Sequence, residues 1–188
     1  IDSWVVGNYL GKEALGAVGA SFPLIFLLIS LVIGIAMGSA IIISQYFGAK
    51  DYQKVKVAID TLNIILFFAS ILVSTVGLLF ADEIFQIIKL PEEIIPQAVS
   101  YFRIFISGSV FMFGFNGTSA ILRGLGDSKT PLYFMIISTI VNIGLDLFFV
   151  VVLGWGIEGV AIATVIAQAG AFATAIVYLN KTHELIRI

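Results

Sequence analysis

Apolar residues in this sequence come in long uninterrupted blocks, not in the alternation of about two or 3.6 residues that marks half-buried strands or helices. A helix that crosses a membrane needs roughly 20 mainly apolar residues, because the hydrocarbon core is about 30 Å thick and each residue rises about 1.5 Å. Blocks of that length recur between short loops rich in glycine and proline. They predict five full spans preceded by the end of an earlier helix, at approximately residues 1–8, 20–47, 61–81, 98–122, 131–152 and 157–180.

The composition indicates that these helices lie in lipid. Of the 188 residues, 60% are hydrophobic and 12% are charged, whereas soluble domains have about 45–50% and 25%. The mean hydropathy of +1.09 agrees with this. We therefore expect an all-α integral membrane protein, a polytopic helix bundle in which residues 1–188 form a single lobe surrounded by the lipid bilayer. The net charge of −2 gives no reason to expect a nucleic-acid partner.

Basic residues are distributed unequally between the two sides of the predicted bundle. Loops that face the cytoplasm carry an excess of lysine and arginine. Alternating the spans places three basic residues on one side and seven on the other; the three are Lys12, Lys89 and Arg103, and the seven are Lys50, Lys54, Lys56, Arg123, Lys129, Lys181 and Arg187. The larger group predicts the cytoplasmic side. We accordingly expect a multi-pass protein of the cell (plasma) membrane with a cytoplasmic amino terminus.

One ionisable residue, Asp146, lies well inside a predicted span. A charge in the middle of a span costs about 2.5–3.5 kcal/mol on insertion scales and normally faces a bundle interior or a watery cavity. Asn142 and Ser138 precede it at intervals of four residues, so the three side chains share one helix face. Thr164 and Gln168 have the same spacing on the following span. Ser138 and Gln168 are therefore candidates for polar residues that support a site around Asp146.

The end of the first helix contributes a second carboxylate, Asp2. Asp2, Asp146 and Thr164 each lie some 9–10 Å below the predicted outer surface, at about 1.5 Å per residue. Two carboxylates, the amide of Asn142 and the hydroxyl of Thr164 can bind a hard cation such as Na⁺ through oxygen. Alternatively, repulsion and desolvation make the carboxylate pair hold a proton. The uncharged members could instead serve only as hydrogen-bond contacts between helices, each worth about 0.6 kcal/mol.

Several segments resemble one known family of transporters. They are residues 2–7 (DSWVVG), 10–19 (LGKEALGAVG), 45–51 (QYFGAKD), 122–131 (LRGLGDSKTP), 142–146 (NIGLD) and 156–164 (GIEGVAIAT). These segments look like the first, second and fourth to sixth helices, with their turns, of the multidrug and toxic compound extrusion (MATE) transporters. The likeness extends over nearly the whole chain.

The resemblance implies a twelve-helix fold of two six-helix lobes, of which this chain would be the amino-terminal lobe with a truncated first helix. It implies antiport of small organic, often cationic, compounds driven by Na⁺ or H⁺ through a cavity between the lobes. Asp2, Asn142, Asp146 and Thr164 match positions implicated in the family's amino-terminal cation site. The second lobe of the same protein would then be a partner. We expect a fragment of a longer protein or a half-transporter that pairs.

The nearest alternative function is a lipid or lipid-linked oligosaccharide flippase of related architecture. Such a protein favours a cavity lined by arginine and lysine for pyrophosphate groups, and the one deep candidate here is Arg103. An intramembrane enzyme would need a nucleophile–base pair or clustered acidic metal ligands. The predicted spans contain no histidine and the sequence contains no cysteine. We therefore expect no enzymatic activity and no cofactor besides the coupling ion.

Overall fold

The structure, a computed structural model, describes residues 2–182, and within them it contains α-helices and no strands. The elements in chain order are α1 (Asp2–Tyr9), α2 (Gly11–Gly48), α3 (Tyr52–Leu79), α4 (Ala81–Ile87), α5 (Ile95–Ser107), α6 (Ser109–Gly124), α7 (Lys129–Leu147), a π-helical turn (Phe148–Val152) and α8 (Gly156–Thr182). Ile1 and residues 183–188, among them Arg187, lie outside the described residues. The all-α class predicted from the sequence is confirmed.

Four helical segments are long and apolar enough to cross a membrane: α2, α3, α7 with its π-helical turn, and α8. Helices α5 and α6 meet the same criterion together, although they are bent by 48° where they join. The described residues thus contain up to five candidate spans. The 38 residues of α2 extend over about 57 Å at about 1.5 Å per residue, so this helix projects well beyond a hydrocarbon core of about 30 Å.

The helix boundaries differ from the sequence-based expectation at several places. Helix α3 begins at Tyr52, not near residue 61, and the short helix α4 was not expected. Helix α2 begins at Gly11, not near residue 20, and continues through Pro23 without a break in the helix. The segment expected as one span at 98–122 consists of two helices that meet at Gly108. The segment expected at 131–152 changes to a π-helix for its last five residues. Long apolar runs identify where a helix exists, but breaks within it depend on contacts with neighbouring helices.

The bend at Gly108 fits the close approach of α8. A Cβ atom on this residue would lie only 2.5 Å from Cγ2 of Val165, so any larger side chain would push α8 away. Helix α6 then continues through the centre of the bundle, where it contacts α2, α3 and α8. Its residues 118–122 are all buried. Helix α7 packs mainly against α8 at the edge of this core, and it brings Asp146 next to α1 and α8.

Candidate cation site

The carboxylate of Asp146 is completely buried near the end of α7, with 0% of the residue exposed. Neither of its oxygens has a hydrogen-bond partner among the described residues. The carboxylate of Asp2 on α1 interacts with it electrostatically. An ionised carboxylate in an apolar interior costs several kcal/mol unless a positive charge or hydrogen bonds compensate it. A carboxylate in such a position can hold a proton or contact a bound cation.

The π-helical turn directly after Asp146 connects α7 to α8. Within it, the ring of Phe149 stacks on Trp155 with a centroid separation of 4.9 Å. Gly159 on α8 packs so closely that a Cβ atom there would lie 2.9 Å from Cβ of Phe149. Turns of this kind inside helices are frequent at functional sites, because the extra residue re-aims neighbouring groups. These contacts hold the Asp146 end of α7 against the start of α8.

Thr164 on α8 lies between groups from the two other helices. Its Oγ1 accepts a hydrogen bond from Nδ2 of Asn142 at 3.3 Å. The same hydroxyl can donate to Oδ2 of Asp2 at 3.3 Å or to the carbonyl of Val160 at 3.1 Å, and with one proton it makes one of these bonds at a time. The structure thus links Asp2, Asn142 and Thr164 directly, and Asp146 joins them through its interaction with Asp2.

Ser138 and Gln168, proposed as supporting residues, lie further along the same two helices. The hydroxyl of Ser138 donates to the carbonyl of Ala167 at 2.9 Å, so it forms a contact between α7 and α8. Ser138 and Gln168 also line a cavity of about 210 Å³ together with Asn142 and Thr164. The polar groups therefore continue from the site along the α7–α8 interface towards the α6–α7 turn.

Tyr101 on α5 is a member of the site that the sequence reasoning missed. It is buried, with 4% of the residue exposed, and its phenol interacts electrostatically with both Asp2 and Asp146. A tyrosine near the end of a predicted span is typical of the aromatic belt at the membrane surface, so its position in the sequence gave no separate signal. Its phenol therefore lies near the carboxylate pair.

The site consists of oxygen ligands: two carboxylates, an amide and hydroxyl groups. Hard cations prefer this ligand class. Within residues 2–182, no group of three or more histidine, cysteine, aspartate or glutamate side chains could hold a metal ion. The carboxylates of Asp2 and Asp146 carry two negative charges when both are ionised, and one Na⁺ together with one proton, or two protons, would balance them.

The chain matches the family model described as MatE over residues 1–148. It is 40% identical to the probable multidrug resistance protein YoeA of Bacillus subtilis in an alignment 187 residues long that covers 96% of this chain and 40% of that protein. Among solved structures it is similar to the outward-facing conformation of a multidrug resistance MATE family transporter, with a TM-score of 0.93 and 26% identity over 100% of this chain and 42% of that one. The inward-facing conformation of such a transporter gives a TM-score of 0.92 and 28% identity over 95% and 40%.

The chain thus spans about 40% of the length of the relatives that it matches. That share agrees with one lobe of a two-lobe transporter. The flippase alternative is not favoured by these relatives, whose names describe multidrug resistance. Because the family model covers well over half of the sequence, the chain belongs to the MatE family of multi-pass membrane transporters.

Proposed function

We propose that this lobe belongs to a cation-coupled antiporter that exports small organic, often cationic, compounds from the cell. The observation that carries the proposal is the Asp146 carboxylate, which is fully buried and has no hydrogen-bond partner among the described residues. Intramembrane carboxylates of this kind mark ion pathways and proton relays in transporters. Na⁺ or H⁺ is the coupling ion, and the transporter would carry it across the membrane in exchange for the organic compound.

The coupling mechanism follows from the charge balance at the site. With Asp2 and Asp146 both ionised, the pair is destabilised by the desolvation of the buried Asp146 and by mutual repulsion. A cation bound between α1, α7 and α8 removes that cost and stabilises the arrangement in which these helices are close together. A cation shifts a conformational equilibrium only by its difference in affinity for the two states. Ion entry and release at this site would therefore bias the two orientations of the transporter.

Alternating access is proposed to occur by movement of this lobe against its partner lobe. The chain fits the outward-facing and inward-facing transporter structures about equally well, with TM-scores of 0.93 and 0.92. This equality supports a lobe that keeps its fold while the two lobes rock, as in other transporters built from repeated helix bundles.

The structure offers little support for a flippase site at Arg103. Its Nη2 donates to Oδ2 of Asp82 at 2.6 Å, and both side chains are about half exposed. A guanidinium that is already paired at the surface is poorly placed to bind a pyrophosphate deep in a cavity. Among the described residues the buried ionisable side chain is Asp146, which suits a coupling cation better than a pyrophosphate group.

The experiment uses the full-length protein reconstituted into vesicles that contain ethidium, a fluorescent organic cation. Efflux is measured under a Na⁺ gradient alone and under a pH gradient alone, for the wild type and for Asp146→Asn. We expect one gradient to drive efflux of the wild type and Asp146→Asn to abolish the driven component. As a matched control, Asp60→Asn alters an exposed aspartate of α3 and should transport normally. Normal driven efflux by Asp146→Asn would contradict the proposal.

A further inference from the structure

Helix α7 carries two residues of the cation site and has few fully buried residues. Among its residues Lys129–Leu147, only Pro131 and Asp146 are buried. Cavities of about 210 Å³ and about 260 Å³ lie along the α7–α8 interface, and Ser138 and Ala167 line both of them. The position of α7 along α8 therefore depends strongly on a few polar contacts.

A group of three polar contacts lies at the opposite end of α7 from the cation site. Oδ1 of Asp127, in the α6–α7 turn, accepts the backbone N–H of Thr130 at 3.0 Å and so caps the start of α7. Oδ2 of the same carboxylate accepts the hydroxyl proton of Tyr178, near the end of α8, at 3.0 Å. The hydroxyl of Thr130 also donates to the oxygen of Tyr178 at 3.3 Å. We call these three residues the turn clamp.

The charge of Asp127 suits this role. Partial burial acts to raise the pKa of the carboxyl, but the hydrogen bonds from Thr130 and Tyr178 outweigh it and hold the pKa of Asp127 below its ordinary value. The carboxylate is therefore ionised at neutral pH. Hydrogen bonds to an ionised acceptor are shorter and stronger than those between neutral groups.

The turn clamp and the cation site are separated by a similar distance along α7 and along α8. Asn142 lies 12 residues after Thr130 on α7, and Thr164 lies 14 residues before Tyr178 on α8. At about 1.5 Å per residue these separations are about 18 Å and about 21 Å. A contact that fixes α7 on α8 at one end therefore sets the level at which Asn142 meets Thr164 at the other end.

We propose that Asp127 and Tyr178 are positioning residues of the cation site, which hold α7 in register with α8 so that Asn142 and Asp146 face Thr164 and Asp2. This inference rests on the proposed function, because it assigns the two residues to cation binding. They act through α7 and do not touch the cation.

The test measures the cation concentration that gives half-maximal ethidium efflux from vesicles holding the full-length protein. Tyr178→Phe keeps the ring that packs edge-on against Phe134 at 5.7 Å and removes only the hydroxyl. Asp127→Ser keeps an oxygen for capping α7 but shortens the side chain, so that it no longer reaches Tyr178. Each variant should raise the half-maximal concentration about three- to tenfold, the effect of losing one or two hydrogen bonds, with the maximal rate preserved.

Because the two residues act on each other, the double variant should be no worse than either single variant. Tyr133→Phe and Asp60→Ser alter exposed residues of the same types and should leave the half-maximal concentration unchanged. An unchanged half-maximal concentration in both single variants would overturn the inference. A lower maximal rate with an unchanged half-maximal concentration would also overturn it. The same holds if the half-maximal concentration of the double variant rises by the product of the two single increases.

Asp146→Asn, measured in the same vesicles, separates this inference from the proposed function. If Asp146→Asn abolishes driven efflux while the clamp variants bind the cation normally, the cation site stands and only the role of the clamp is wrong. If Asp146→Asn transports normally, the proposed function itself fails.

Discussion

The single proton of the Thr164 hydroxyl gives the cation site a choice between two acceptors. When it is donated to Asp2, this carboxylate is partly compensated. When it is donated to the carbonyl of Val160, Asp2 needs another positive partner, and the hydroxyl oxygen is free to face it. A cation that binds between Asp2 and Asp146 would favour the second arrangement. Thr164 is therefore expected to adjust the affinity of the site and not to create it.

This role of Thr164 predicts different effects for two substitutions. Thr164→Val removes the hydroxyl and should raise the half-maximal cation concentration for ethidium efflux by about two- to tenfold, the effect of one hydrogen bond. Thr164→Ser keeps the hydroxyl and should stay near the wild-type value. Thr174→Val is the matched control, because the Thr174 hydroxyl bonds only within α8 to the carbonyl of Gly170. Equal affinity in Thr164→Val and the wild type would exclude the hydroxyl from the site.

Several residues of the site could be predicted because each is unusual for its surroundings. Asp146 is a charge within an apolar block, and Asn142 and Thr164 fall on helix faces that a spacing of four identifies. Tyr101 could not be predicted in this way, since its side chain is ordinary for a membrane helix and only the packing of α5 brings it to the two carboxylates. Whether Ser138 contacts a cation or a carbonyl also depends on the distance between α7 and α8, which the sequence does not specify.

At the scale of the helices, glycines decide how closely two elements approach. Gly108, at the junction of α5 and α6, has a φ of −86°, which any residue can adopt. Glycine matters at this position because it has no side chain. The Cβ of an alanine there would collide with Val165 on α8. Overpacking of this kind typically costs about 1–3 kcal/mol.

Gly108→Ala should therefore lower the free energy of unfolding of the full-length protein by about 1–3 kcal/mol, measured by denaturation in detergent. Adding Val165→Ala should recover much of the loss, because it removes the two methyl groups that the new Cβ would meet. Gly170→Ala on α8 serves as control, since a Cβ at Gly170 meets no atom within 4 Å. Equal losses in Gly108→Ala and Gly170→Ala would show that the close contact with α8 does not matter.

The existence of the long helices was predictable from apolar length, whereas their breaks were not. Charge-free blocks indicated where α2, α3, α7 and α8 would lie. The bend at Gly108 and the π-helical turn after Asp146 both occur where α8 packs closely, and such contacts exist only in the folded bundle. The apolar pattern of a sequence indicates which segments lie in lipid as helices, but it does not indicate where those helices bend.

At the scale of the whole molecule, the sidedness of the bundle is a further prediction. Six of the nine lysine and arginine residues within the described range 2–182 fall on the side of the α2–α3 and α6–α7 turns, which the positive-inside rule assigns to the cytoplasm. A reporter fused after Glu92 in the full-length protein should therefore be external, and one fused after Asp127 should be cytoplasmic. The opposite locations would reverse the topology and place the cation site nearer to the inner surface.

The most direct test of the account is whether Asp146 binds the coupling cation. The thermal unfolding of purified full-length protein is followed in a Na⁺ series at fixed pH and in a pH series without Na⁺, for the wild type, Asp146→Asn and the exposed control Asp60→Asn. A ligand that binds only the folded state stabilises it by about 2.7 kcal/mol at a hundredfold excess over its Kd. We predict that one cation stabilises the wild type and Asp60→Asn in a saturable manner and does not stabilise Asp146→Asn. Equal stabilisation of Asp146→Asn and the wild type would contradict the central claim.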